Sequence, residues 1–262
     1  MGYSNGLEYL VSGYVNQAYS ISYLSKNTDD KYTRISENPT IALQAYIPDV
    51  FMPKSESGYQ NNKKYNSSYS SSHSFTPQIF LDSSRPKSRF VVDKSEIKGI
   101  AKETFELMMK EKLPQNISIT ILPVDEFKVA HSRFGAWSNG ILGFSVNGKT
   151  KKIFVRENHL DELIIVLGHE IGHVLTETLP NSHDEEAKAF AFSIGWAKAI
   201  KNHNIANLGL NIKAELDFQP ARNGLHDIAF GFVDLMLRKG MEAVDLHRRL
   251  AKKYASIFNR IY

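Results

Sequence analysis

Residues 160–175 read LDELIIVLGHEIGHVL and combine a dense aliphatic pattern with two histidines. Apolar residues recur in this stretch at three- and four-residue spacing, which predicts a helix over about 159–177 that buries most of its surface. Pro180 ends the pattern. Gly168 and Gly172 each lower helix propensity by about 1 kcal/mol relative to alanine. Two glycines inside so apolar a helix predict that another element or a ligand approaches its backbone there.

The helix carries the motif His169-Glu170-Ile171-Gly172-His173. Residues four positions apart lie one turn apart on the same face of a helix, so His169 and His173 are expected to share one metal ion. Glu170 is offset by about 100° and is expected to reach a metal-activated water as general base. This is the HExxH arrangement of zinc metallopeptidases.

A hydrolytic zinc site has three protein ligands and one open position, so two histidines are not sufficient. The chain contains no cysteine, and any further ligand must be His, Asp or Glu. The residues directly after His173 do not supply a third histidine in the spacing of metzincins. The remaining candidates lie at the start of the next predicted helix, 185–200, and are His183, Asp184, Glu185 and Glu186. Each of them also suits a first helical turn without any metal, because acidic groups there oppose the helix dipole favourably.

The segments LGHEIGHVL and EEAKAFAF, separated by a short break, resemble gluzincin-type metallopeptidases, particularly compact ImmA/IrrE-like members. In that group the third ligand is a glutamate that precedes a small residue by three positions and a phenylalanine by six. Glu186, Ala189 and Phe192 fit this spacing, whereas a shifted register would put Asp184 in the ligand position. The resemblance covers about residues 93–200. It implies zinc held by His169, His173 and Glu186.

The region before this helix is predicted to form a small mixed sheet. Residues 117–121 alternate with a period of two and are rich in β-branched side chains, which is typical of a strand. Residues 141–146 and 152–156 flank Asn147-Gly148, a dipeptide that suits a tight hairpin turn. Zincin-type enzymes have an edge strand just before the active-site helix, where an extended peptide can pair with it. The hairpin is expected to play this part, with substrate preference depending on Ile141 and Phe144.

Three regions are expected along the chain, and together they predict an α+β fold with a helical C-terminal part. Residues 1–53 form an N-terminal segment with an amphipathic helix, and 54–92 form a flexible linker rich in serine and tyrosine. Residues 93–262 form a zincin-like metallopeptidase domain that includes C-terminal helices over about 225–239 and 241–259.

The function expected from these features is zinc-dependent hydrolysis of a protein or peptide substrate, with Glu170 as the base. His226, near a predicted helix start, is a further candidate because an imidazole could stabilise the oxyanion. A capping or surface role for His226 is the alternative. Two other functions stay open: a zinc-binding sensor or interaction module that cleaves nothing, and a nucleic-acid-binding protein in which the motif is incidental.

Composition sets further limits. The formal net charge of +4 only weakly favours an anionic partner such as nucleic acid. No run of about 18 apolar residues is present, so no membrane insertion is expected. The absence of cysteine excludes disulfides and thiolate metal sites. The first residues lack the pattern of a secretory signal, and we expect a cytoplasmic protein.

Overall fold

The structure is a computed structural model that describes residues 75–216 and 224–258. This part of the chain has an α+β architecture, with α-helices packed against small sheets. The strands are β1 (Phe90–Val91), β2 (Ile117–Leu122), β3 (Gly143–Val146), β4 (Lys151–Arg156) and β5 (Asn158–His159). The helices are α1 (Lys94–Met109), α2 (Val124–His131), α3 (Leu160–Val174), α4 (Ser182–His203), α5 (Leu225–Arg238) and α6 (Ala243–Ala251).

The larger sheet has the order β2-β4-β3, with β4 parallel to β2 and antiparallel to β3. The strand over 117–122 and the β3–β4 hairpin are therefore confirmed. The hairpin connection is residues 147–150, and neither Asn147 nor Gly148 has the positive φ of the tight turn that the dipeptide predicts. Alternate residues of β4 point to opposite faces of the sheet. Ile153 and Val155 are fully buried in the main core, whereas Phe154 packs in a second, smaller cluster built on Phe127.

Helix α3 lies at the centre of the main core. All of its residues except Glu162 and His173 are buried. It meets α4 at close range through its two glycines: an added Cβ would lie 2.5 Å from the Trp196 ring at Gly168 and 3.0 Å from the Ala189 Cα at Gly172. The expectation that another element approaches the backbone at these glycines is confirmed, and that element is α4.

Helix α3 ends at Val174, before the expected residue 177. Two lysines cap its C-terminal end. Lys188 Nζ donates to the carbonyls of His173 and Glu177, at 3.2 and 3.1 Å, and Lys151 Nζ donates to that of Leu175 at 2.9 Å. The last carbonyls of a helix have no partner within the helix, and here the ammonium groups supply one.

The C-terminal helices α5 and α6 pack against α4. Helix α6 ends at Ala251, earlier than expected, and Lys253 adopts a left-handed conformation with φ of 60°. Asp184 holds the chain beyond α6, because it accepts hydrogen bonds from Ser256 Oγ at 2.8 Å and from the Ile257 amide at 2.7 Å. These tertiary hydrogen bonds replace the helix that local pattern alone would continue.

Residues 75–92 differ from the linker expected for 54–92, because they pack into the same core as α3. Phe75, Phe80, Leu81 and Val91 are buried. Asp161, at the start of α3, accepts hydrogen bonds from Arg85 Nε at 2.7 Å and from Ser88 Oγ at 2.6 Å. The serine-rich composition that predicts a linker belongs to residues 54–74, whereas the apolar residues of 75–92 anchor this segment in the core. The packed unit therefore begins before residue 93.

The amphipathic helix expected within 1–53, and residues 54–74 of the expected linker, lie outside the described residues. Across 75–216 and 224–258, no helix has both the length and the apolar character needed to cross a membrane.

Candidate metal centre

His169 and His173 lie one turn apart on α3 and direct their rings to the same point. Their Nε2 atoms are 3.2 Å apart. Two ligands that each lie about 2.0–2.1 Å from a tetrahedral zinc ion are separated by roughly 3.3 Å. The distance between the two Nε2 atoms therefore matches the distance between two ligands of one zinc ion.

Glu186 supplies the third converging atom, from the first turns of α4. Asn181 begins this helix by accepting hydrogen bonds from the amides of His183 at 2.9 Å and Asp184 at 3.3 Å. That start point brings Glu186 Oε2 to 3.4 Å from His169 Nε2 and 3.8 Å from His173 Nε2. The three atoms form the face of a tetrahedron of the size that zinc occupies.

Hydrogen bonds at the outer nitrogens set the orientation of both rings. Ser193 Oγ donates its proton to the Ala189 carbonyl at 2.8 Å. Because its proton is used there, the hydroxyl accepts from the Nδ1–H of His169 at 3.2 Å. The Nδ1–H of His173 donates to Glu185 Oε1 at 2.9 Å. Metal-binding histidines characteristically donate one ring N–H to an oxygen, which directs the other nitrogen to the ion. Both rings meet this requirement.

The charges of the centre suit a cation. Burial lowers the pKa of the His169 imidazole to about 4, so its Nε2 carries a lone pair at neutral pH. Burial would also lower the pKa of His173, but Glu186 and Glu185 raise it to about 9. Burial would raise the pKa of Glu186, yet the His226 and His173 rings hold it well below its usual range. Without a metal, His173 is therefore protonated, and its Nε2–H faces His169 and Glu186.

The surroundings of Glu186 Oε2 test whether these residues fit a metal ion. This oxygen is buried, and the Nε2 atoms of His226, His169 and His173 lie 3.0, 3.4 and 3.8 Å from it. A buried carboxylate is costly unless a cation balances its charge, and a metal ion held by these nitrogens would do so. The donor set of two imidazoles and one carboxylate is that of a catalytic zinc site. The residues present thus fit a zinc ion.

Glu170 lies on the side of α3 that faces β3. A Cβ added at Gly143 would lie 3.0 Å from Glu170 Oε1 and 2.6 Å from the Val166 side chain, so only glycine allows strand and helix to approach this closely. Burial raises the pKa of the Glu170 carboxyl, an effect that the positive charge of His173 and the Ser145 hydroxyl partly offset. A carboxylate with a raised pKa is better matched to accepting a proton near neutral pH.

His226, in the first turn of α5, joins the same cluster. Its Nε2 lies 3.0 Å from Glu186 Oε2, and its ring centroid lies 6.2 Å from that of His169 with the planes perpendicular. His169, Glu186 and His226 each offer one ligand atom within 4.8 Å of the others. The structure therefore brings His226 into the centre, where it is available as a ligand or as a donor to a substrate.

The other three candidates for the third ligand have different partners. Asp184 binds the segment after α6, as described above. The His183 ring makes an edge-on contact with Phe258, with centroids 5.5 Å apart. Glu185 faces the outer nitrogen of His173 and also accepts from the Leu179 amide at 2.7 Å. Of the four acidic or histidine side chains, Glu186 is the one that converges with the two histidines.

Three residues of the centre escape sequence reasoning. Ser193 lies seven residues after Glu186 and so shares its helix face, a spacing that could have indicated it. Phe75 stacks on His169 but ends a serine-rich segment with no recognisable pattern. Lys188 is fully buried, although a lysine in an amphipathic helix normally indicates a solvated face.

Ile141 and Phe144, expected to influence substrate preference, are buried in the second cluster around Phe127. The Phe144 side chain points away from α3, because Gly143 faces α3 and neighbouring strand residues alternate between faces. Ile141 precedes β3 and packs in the same second cluster. The β3 residues on the side of Glu170 are Gly143 and Ser145.

No family model, no curated protein and no solved structure matches this chain.

Proposed function

We propose that this protein is a zinc-dependent peptidase. The observation that carries the proposal is the convergence of His169 Nε2, His173 Nε2 and Glu186 Oε2 within 3.2–3.8 Å of one another. A buried glutamate with a raised pKa stands beside this cluster, at the edge of a sheet. Membership of the gluzincin-type, ImmA/IrrE-like group that the motifs resemble is part of the same proposal.

The proposed reaction is hydrolysis of an amide bond. His169, His173 and Glu186 would hold zinc, which when bound polarises a water molecule and the substrate carbonyl. Glu170 accepts the proton of the attacking water and passes it to the leaving amine. His226 donates a hydrogen bond to the oxygen that becomes negative.

An extended peptide is the substrate that the neighbouring sheet supports. Strand β3 is an edge strand, since it pairs with β4 alone within the described residues. A peptide that adds to such an edge gains backbone hydrogen bonds, while its side chains give specificity. Gly143 and Ser145 lie on the face nearest Glu170, so the scissile bond would align with this part of β3.

Metal content and turnover of matched variants test the proposal. Wild-type protein should hold one zinc per chain by mass spectrometry and cleave unstructured peptides from a quenched fluorescent library. Glu170→Gln should keep the zinc and lose most turnover, because it removes the base and leaves the ligands. His173→Ala should lose both. Glu177→Gln, an exposed glutamate just after α3, is the matched control and should resemble wild type. Full turnover in Glu170→Gln would contradict the mechanism.

A second function is favoured by the position of His226. If His226 binds zinc in addition to His169, His173 and Glu186, the ion has four protein ligands and no open position, which is the arrangement of structural sites. The protein would then be a zinc-stabilised sensor or interaction module. In that case His226→Ala should weaken zinc binding and wild type should cleave nothing. In the peptidase, His226→Ala should keep its zinc and lose turnover.

The identity of the metal, the location of the protein in the cell and the binding of nucleic acid stay predictions. His, His and carboxylate ligands also suit manganese or iron, and metal availability contributes to the choice. A cytoplasmic location is expected from the sequence alone. Nucleic-acid binding would be indicated by an affinity that falls steeply with salt and does not respond to chelators.

A further inference from the structure

Lys188 is a fully buried lysine in the second turn of α4. Its Nζ donates to Glu185 Oε2 at 2.9 Å, to the His173 carbonyl at 3.2 Å and to the Glu177 carbonyl at 3.1 Å. An ammonium group has three protons to donate, and all three have acceptors here. Burying a charged group is costly unless it is paired in this way.

Glu185 connects this lysine to the metal centre. Its Oε1 accepts from His173 Nδ1 at 2.9 Å, whereas its Oε2 accepts from Lys188 and from the Leu179 amide at 2.7 Å. The orientation of the carboxylate is therefore fixed from two sides. The pKa of Glu185 is held below its usual value, because His173 and Lys188 outweigh the effect of burial.

We infer that Lys188 is a positioning residue for the metal ligand His173, acting through Glu185. This inference rests on the proposed metal centre and adds to it a chain of contacts that runs from α4 to the ring. Lys188 also fixes the backbone of the ligand, since it donates to the carbonyl of His173 itself. The lysine thus restrains His173 at its main chain and, through Glu185, at its imidazole.

The same contacts decide which of two adjacent glutamates binds metal. Glu185 and Glu186 are both buried in the first turns of α4. Lys188 and the Leu179 amide hold the second oxygen of Glu185 away from the centre, and Lys188 balances its charge. Without the lysine, Glu185 Oε2 would lose its charged partner and keep only the Leu179 amide, so the carboxylate would be held less firmly away from the ion.

A helix-capping role alone gives a different expectation. If Lys188 only capped α3, its loss would lower stability and leave the zinc affinity of the folded protein unchanged. Loss of outer contacts to a ligand typically weakens metal affinity by about 10- to 100-fold. Zinc affinity of the folded chain therefore separates a positioning role from a purely structural one.

The test compares full-length Lys188→Met with wild type and with Lys198→Met, an exposed lysine of the same helix. The probe is Zn²⁺ alone, titrated in competition with a chromophoric chelator. Lys188→Met should raise the Kd about 10- to 100-fold, and Lys198→Met should leave it unchanged. The visible spectrum of the Co²⁺-loaded protein should also change in Lys188→Met, because the geometry around His173 is altered.

A folded Lys188→Met protein with a Kd within about twofold of wild type, and the same Co²⁺ spectrum, would overturn the inference. Glu185→Gln is the second variant should Lys188→Met not fold. It weakens the contact to Lys188 and should also raise the Kd, so an unchanged Kd there would overturn the inference too. Failure of wild type to bind zinc is a separate result, which would overturn the proposed metal centre itself.

Discussion

The ring of Phe75 stacks on the imidazole of His169, with centroids 4.0 Å apart and planes 18° from parallel. Phe75 also contacts Phe80 and Phe190, with centroids 5.8 and 5.6 Å away. One face of a candidate metal ligand is thus covered by a residue from far earlier in the chain. The segment before β1 therefore contributes to the centre as well as to the core.

Replacement of Phe75 with alanine should destabilise the protein substantially. The side chain is only 7% exposed, and truncating a buried phenylalanine costs about 3–5 kcal/mol. We expect a loss near the lower limit, about 3 kcal/mol, measured by urea denaturation of the metal-free protein. Phe90→Ala is the control, because Phe90 is 52% exposed and should cost less than about 1 kcal/mol. A loss for Phe75→Ala as small as that expected for Phe90→Ala would show that the Phe75 stack does not stabilise the fold.

Gly168→Ala should also destabilise the protein, although alanine is the better helix former. The added Cβ would lie 2.5 Å from the Trp196 ring, which itself is fixed by a hydrogen bond from Nε1 to the Ile164 carbonyl at 3.0 Å. Overpacking of this kind costs about 1–3 kcal/mol and should outweigh a propensity gain of about 1 kcal/mol.

The matched control for Gly168→Ala is Gly231→Ala in α5. A Cβ at Gly231 meets nothing within 4 Å, so this change should stabilise the protein by up to about 1 kcal/mol. Thermal unfolding of the two variants should show shifts of opposite sign. A rise in Tm for Gly168→Ala would mean that α3 and α4 are further apart than the structure has them.

The main elements of the fold were predictable because their signals are local. Strand β2, the β3–β4 hairpin and helix α3 follow from residue periodicity, and Asn147-Gly148 marks where the hairpin connection lies but not its geometry. The resemblance to gluzincin-type peptidases favours Glu186 as the third ligand, because Ala189 and Phe192 follow it at the spacing of that group, and it leaves three other candidates open. The local pattern predicts the ends of the helices only approximately. The ends of α3 and α6 depend on hydrogen bonds to distant residues such as Lys188 and Asp184.

The contacts that complete the centre could not be predicted in the same way. Phe75 meets His169 only because residues 75–92 pack on α3, and Lys188 reaches the carbonyls of His173 and Glu177 only because α4 packs on α3. A single phenylalanine beside a serine-rich segment, or one lysine in a helix, has the same sequence signature whether it is buried or solvated. Nothing in the local pattern distinguishes these cases.

Zinc binding should release protons at neutral pH. His173 has a pKa raised to about 9 in the metal-free protein, so it is protonated at pH 7 and must lose a proton when its Nε2 binds zinc. The apparent affinity should therefore fall about tenfold for each unit below pH 9. Calorimetry in buffers of different ionisation enthalpy measures this release. Binding that releases no proton at pH 7 would show that His173 is neutral in the metal-free protein.

His247 should make the metal-free protein sensitive to acid. This histidine of α6 is buried, and its Nδ1 lies 3.1 Å from the Lys188 carbonyl. Burial lowers its pKa to about 4, with Lys188 and Arg248 lowering it further while the Lys188 carbonyl and Glu185 act in the opposite direction. The unfolded chain, with an ordinary histidine pKa of about 6.5, then binds more protons than the folded one between these two values. Stability contributed by neutral His247 is thus present above pH 6.5 and is lost as the pH falls toward 4.

The variant His247→Gln isolates this contribution. A glutamine amide can still donate to the Lys188 carbonyl, but it does not titrate. Between pH 7 and pH 5, wild type should lose about 2 kcal/mol more stability than His247→Gln, because the linkage of one such histidine has that size. Urea unfolding at several pH values measures the difference. The exposed His203, replaced in the same way, should leave the pH dependence as it is in wild type. Parallel pH profiles for wild type and His247→Gln would show that His247 can be protonated within the folded state at little cost.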